Sequence, residues 1–195
     1  MTAKSGTRRR TDATRNREAI LSAGMEVLSA DPDAGLGDVA KASGLTRTTV
    51  YAHFATREEL LEELLRRAVA QTVQLIDASH PTSGPADEAL QRVLAASWQQ
   101  VGRHASLTEA MARVLGERAA TLHAPVEQRP ASLLRRGRSD GTFRDDVSER
   151  WLLTAYFALV HAAGREVASN STTITEAEHN LVRTVLGAFA KPTHS

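Results

Sequence analysis

Between Thr46 and Arg57 the chain gathers a set of hydrogen-bond donors and small side chains: Thr46, Arg47, Thr48, Thr49, Tyr51, Ala52, His53 and Arg57. Hydroxyl, guanidinium, phenol and imidazole groups all donate to anionic oxygens, and none of the eight side chains is acidic. Val50 and Phe54 interrupt them at the four-residue spacing of a buried helix face. A helix of this make-up suits a groove walled by phosphates, where donors hold the backbone and short side chains approach base edges. Arg47 has the reach for guanine O6 and N7 or for a phosphate. Thr48 and Ala52 are short enough to touch a thymine methyl group.

Such a helix needs elements to hold it. Upstream, Asp38-Val-Ala-Lys-Ala-Ser-Gly-Leu45 reads as a short helix ended by Gly44, with Leu45 filling the corner before the next helix. Thr46 is a good N-cap for that next helix. Asp33 or the backbone of Gly35 is left to cap the first one. Arg17 to Leu28 is amphipathic, with Ile20, Leu21, Gly24, Val27 and Leu28 on one stripe, and supplies a third helix for a small core. Downstream, Thr56-Arg-Glu-Glu59 has the form of a capping box and predicts a long connecting helix over about residues 57–79.

The segment from Arg17 to Leu60 resembles the N-terminal domain of the TetR (tetracycline-repressor) family of bacterial transcriptional regulators. The resemblance is carried by Ala40, Gly44, Leu45, Thr46, Arg47, Thr49, Val50, Tyr51, His53, Phe54, Arg57, Glu58, Glu59 and Leu60. It departs from the family at Thr48, commonly a very small residue, and at Ala52, often aromatic or basic. The resemblance implies a helix-turn-helix head reading double-stranded DNA, with Tyr51 and His53 on phosphates and Arg57 as a further phosphate clamp. It also implies a homodimer joined through the last two helices, a palindromic operator and a ligand cavity among the middle helices. Trp98, Met111, Phe157 and His161 are the side chains expected to line that cavity, with His104 and His123 near its mouth.

The rest of the chain fits an all-α protein of about nine helices, since no segment alternates with a two-residue period. Residues 1–13 read as a basic flexible arm, 14–59 as the DNA-binding domain and 60–195 as a helical ligand-binding and dimerisation domain. Breaks are expected at His80 to Pro85, at Gly102 to Ala105 and at His123 to Pro125, with Ser106-Leu-Thr-Glu109 as a capping box. A helix near Pro125 to Arg138 follows, then a turn at Ser139 to Thr142 with Phe143 folded onto the core. Asp146 to Glu149 and Thr173 to Glu176 open the last two helices, whose apolar faces are wide enough to pair with a second copy. Leu181 and Val185 are expected in that seam.

Charge supports a nucleic-acid partner through its distribution. The net charge is only +1, yet residues 1–17 hold Lys4, Arg8, Arg9, Arg10, Arg15 and Arg17 against Asp12 alone. With no cysteine there is no disulfide or thiolate chemistry. The seven histidines, at 53, 80, 104, 123, 161, 179 and 194, include no i, i+4 pair for zinc. Phosphate-cradling glycine loops and hydrolase motifs are absent from the sequence, so neither an enzyme nor a cofactor is expected. An all-α adaptor, the competing class, leaves the basic N-terminal region unexplained. The expected location is the cytoplasm.

Overall fold

The computed structural model describes residues 3–192, with side chains from residue 11 onward. Nine helices occupy these residues: α1 (Ala3–Ala30), α2 (Leu36–Ser43), α3 (Arg47–His53), α4 (Arg57–Ala78), α5 (Ala86–Arg103), α6 (Ala105–Leu115), α7 (Glu117–Ser139), α8 (Glu149–Ala168) and α9 (Ile174–Phe189). No strand occurs among the described residues; Phe143 and Ala190 form a single isolated bridge. The backbone of α1 begins at Ala3, so most of the segment expected as a flexible arm continues the first helix. Lysine and arginine are good helix formers, and no proline interrupts the stretch. The side chains of the arm's first ten residues lie outside the described residues.

Helices α1 to α3 close a small core of Ile20, Leu21, Leu28, Val39, Ala40, Val50 and Phe54, all buried. The unit rests on α4 through Gly24. A Cβ at that position would stand 3.4 Å from Leu60 and 3.5 Å from Leu64, so the absent side chain lets α1 lie close. The other helices form the larger body, with α5 packed against α4, α7, α8 and α9, and α6 set between α4 and α8. Local chemistry explains four of the starts. The Thr46, Thr56, Ser148 and Thr173 hydroxyls each accept the N–H three residues on. At α4 the reciprocal bond of the box shifts by one residue, since Glu59 accepts from Ala55 N–H at 2.8 Å.

Three boundaries differ from the sequence reading. The break placed at His123–Pro125 falls at Gly116 (φ 53°, ψ −125°), and α7 runs through both Pro125 and Pro130. An internal proline costs roughly 3 kcal/mol in an isolated helix. Here Val126, Leu133 and Leu134 are buried by the body, and that burial holds the helix together across the prolines. Ser106 does not cap α6. The chain kinks at one residue, His104, and is helical again from Ala105, so Ser106 already lies inside the helix. Before α8 it is Ser148 that caps, while Asp146 is held by Arg144 at 2.7 Å.

Two side-chain expectations also change. Leu181 and Val185 are buried within the chain itself, so they belong to its core and not to an outer seam. Trp98 is buried too, and its Nε1–H donates to the Ile174 carbonyl at 3.1 Å, tying α5 to the start of α9. Phe143 folds onto the core as expected, meeting Phe189 edge to face with ring centres 6.3 Å apart.

Candidate nucleic-acid interface

The turn between α2 and α3 is a two-bond helix stop. Leu45 N–H reaches back to the Ala40 carbonyl and Gly44 N–H to that of Lys41, with Gly44 at φ 69°. Half-buried Leu45 and fully buried Val50 then fix the direction of α3. With Val50 inward, Arg47, Thr48, Tyr51 and Ala52 are left facing solvent together. Tyr51 is 52% exposed, an unusual position for a large ring.

The other expected residues have more local tasks. Thr46 accepts the Thr49 N–H at 3.1 Å, and their hydroxyls lie 2.8 Å apart, so Thr49 supports the cap. His53 is half-buried in the last turn. The Arg47 guanidinium lies against α2: a Cβ on Gly37 would stand 3.1 Å from its Nη2. Arg57 turns away from the exposed face of α3. Its Nε donates to the Ala34 carbonyl at 3.0 Å and its Nη2 to that of Pro32, clasping the α1–α2 loop to the start of α4.

Arg17 was not among the expected residues. Its guanidinium sits over the Phe54 ring, 4.7 Å from the centre, and pairs with Glu63 at 3.2 Å. Its place on α1, one turn before the apolar stripe, carries no signal of that contact.

A second site lies in the body. A cavity of about 70 Å³ is walled by α4 to α8, and Met111, Phe157 and His161 of the four expected residues line it. Trp98 does not. His104 and His123 also reach it, as does Met25 from α1, which brings the α1–α3 unit to the cavity wall. His104 Nδ1 lies 2.8 Å from the Ser29 hydroxyl of α1. Burial, with a smaller contribution from the adjacent Arg103, holds the His104 pKa below its ordinary value. Burial pushes the Tyr156 phenol up to about 12, against a smaller opposing pull from the Ser97 hydroxyl. No cluster of metal-ligating side chains is found among the described residues. None of their helices is long and apolar enough to cross a membrane.

Comparison with known proteins agrees with this architecture. Residues 20–64 match the family model described as bacterial regulatory proteins, tetR family. The HTH-type transcriptional repressor LfrR of Mycolicibacterium smegmatis is 44% identical over 91 residues, a stretch covering 47% of this chain and 46% of that protein. The sequence alignment therefore spans just under half the length of the curated relative. The crystal structure of LfrR in complex with proflavine superposes with a TM-score of 0.73 at 27% identity, covering 90% of this chain and 96% of that one. The FadR regulator of Bacillus subtilis in complex with stearoyl-CoA, at 14% identity, shares the fold with a TM-score of 0.75 over 88% of this chain and 98% of that one. With residues 20–64 matched, the exposed α3 face and the helical body behind it, the chain is similar to the bacterial regulatory proteins of the tetR family.

Proposed function

We propose that the protein is a ligand-responsive transcriptional regulator, most simply a cytoplasmic repressor. In this reading it binds a palindromic operator as a dimer and leaves it when a small molecule fills the cavity. The observation that carries the reading is the solvent-facing row of Arg47, Thr48, Tyr51 and Ala52 on a helix anchored by Val50. Arg47 and Thr48 meet base edges or flanking phosphates, and Tyr51 and His53 hold the backbone. Arg57 acts by positioning the loop and α4. LfrR, a repressor seen with proflavine, supports both the sense of the regulation and the use of the cavity. Neither catalysis nor a cofactor enters this reading.

Two substitutions separate contact from positioning. Tyr51→Ala should weaken binding to all duplexes alike, by roughly tenfold, because a phosphate bond carries no base information. Its melting temperature should stay near wild type, as the ring is exposed. Arg57→Ala should lower both affinity and melting temperature, because it frees the Ala34 and Pro32 carbonyls from their donor. Fluorescence anisotropy on operator and random DNA, with thermal melts alongside, measures both. Equal melting temperatures for the two variants would return Arg57 to the role of a simple phosphate clamp.

The dimer seam is assigned to the outward sides of α8 and α9. Trp151 is 63% exposed there, and a groove of about 350 Å³ runs along Leu159, Ala162, Ala163 and Thr184. Two copies joined on this face would set two recognition helices for half-sites about one helical turn apart. Thr184→Glu leaves the chain's own core intact and should convert the dimer to folded monomer in sedimentation, with operator affinity lost. A wild-type protein that sediments as a folded monomer at about micromolar concentration, where cooperative operator binding needs the dimer, rules the seam out.

A further inference from the structure

The cavity differs sharply between its inner and outer ends. Inside, Met25, Leu65, Val69, Met111, Val126 and Phe157 give an apolar wall, and no carboxylate lines it. Outside, the cavity shares Val101, Thr108 and His161 with a groove of about 500 Å³ between α6 and α8. Around His161 stand His123 from α7, Arg165 from its own helix, and Glu109 from α6, with Arg113 also lining the groove. From α5 the groove receives only Val101. Arg113 is paired with Asp33 at 3.4 Å, so the polar end offers Arg165 and two imidazoles against the Glu109 carboxylate.

We infer that the occupant is a small aromatic carboxylic acid, its ring between Met111 and Phe157 and its carboxylate at the His123–His161–Arg165 end. The inference rests on the ligand-responsive reading above. Size limits the occupant to one ring, since an apolar cavity of about 150 Å³ takes benzene and this one, at about 70 Å³, would have to widen even for that. Thioether and phenyl walls suit an aromatic face. A buried cation would need a carboxylate beside it, and the inner wall has none.

Binding should also take up a proton. His123 Nδ1 lies 2.9 Å from the Ala119 carbonyl, which leaves its Nε2 for another partner. His161 is held below its ordinary pKa by desolvation, then by the neighbouring His123 and Arg165, against an opposing pull from Glu109. An anion beside the His161 ring raises its pKa, so the bound state holds more protons than the free state near neutrality. Affinity therefore rises as pH falls through the imidazole range, down to the acid's own titration at about 4.

Calorimetry on the full chain with cinnamate and its cationic counterpart cinnamylammonium tests this. Cinnamate should bind several-fold more tightly near pH 6 than near pH 8, since a one-unit rise in a single imidazole pKa gives at most about a tenfold gain. Cinnamylammonium should show no heat of binding. Arg165→Ala should weaken cinnamate at both pH values, while His161→Gln should flatten the pH dependence. Both side chains reach solvent, so the variants should fold. Preference for the cation, a flat pH profile in the wild type, or binding of neither probe overturns the inference. Operator binding measured on the same samples is independent of these outcomes, so the DNA-binding reading stands or falls separately.

Discussion

Thr48→Glu is expected to remove operator binding almost entirely while leaving the fold unchanged. Thr48 is exposed in the first turn of α3, beside Arg47 and one turn before Ala52. Its side chain makes no contact on which the head core depends, so the substitution falls in the class that alters stability by about 0.5 kcal/mol or less. A carboxylate there faces the phosphate walls of the groove and must also be partly desolvated. Like-charge juxtaposition across an interface costs several kcal/mol, which is a loss of at least about a hundredfold in affinity. Anisotropy titration against operator DNA, with circular dichroism to confirm folding, gives the result. Near wild-type affinity in a folded Thr48→Glu protein would mean that this face of α3 does not meet DNA.

Gly137→Ala is expected to have the largest effect on stability, and none directly on the DNA-facing surface. A methyl group at Gly137 in α7 would overlap the Phe143 ring and stand 2.9 Å from the Ala86 Cβ. Phe143 has nowhere to retreat, because its ring is held edge to face against Phe189 and its backbone N–H is bound to the Gly137 carbonyl at 2.8 Å. Overpacking of this kind costs about 1–3 kcal/mol or more. For a chain of this size that corresponds to a fall in melting temperature of roughly 2–4 °C per kcal/mol. Differential scanning calorimetry measures it. An unchanged melting temperature would show that the α7–Phe143 contact is looser than the structure describes.

What could be read from the residues divides along the range of the interactions. Gly44, Thr46, Thr56 and Thr173 were legible because a cap or a left-handed turn involves only neighbours within a few residues. The exposed side of α3 followed from the spacing of Val50 and Phe54 alone. Long-range packing was not legible. Pro125 and Pro130 signal a stop locally, yet the body holds α7 helical through them and places the stop at Gly116. The same limit applies to side-chain direction. Arg57 was recognisable as a cation at a helix start, but not as one that turns back to Ala34 and Pro32. Trp98 was recognisable as a large ring on an apolar stripe, which fits a cavity wall and a structural tie equally well. Only the place of Ile174 decides for the tie. Met25 and the Ser29–His104 contact join the head to the cavity from residues 75 positions apart in the second case, and no local pattern announces them.

The central claim is that α3 reads DNA from a two-fold symmetric protein. Selection of bound duplexes from a random-sequence library, at about physiological salt, tests it most directly, because specific and backbone-only binding separate under those conditions. The account predicts enrichment of an inverted repeat whose half-sites are centred about one helical turn apart, lost together in Thr48→Glu and Thr184→Glu proteins. Recovery of unenriched sequence, or of a motif without two-fold symmetry that both variants still select, would contradict it.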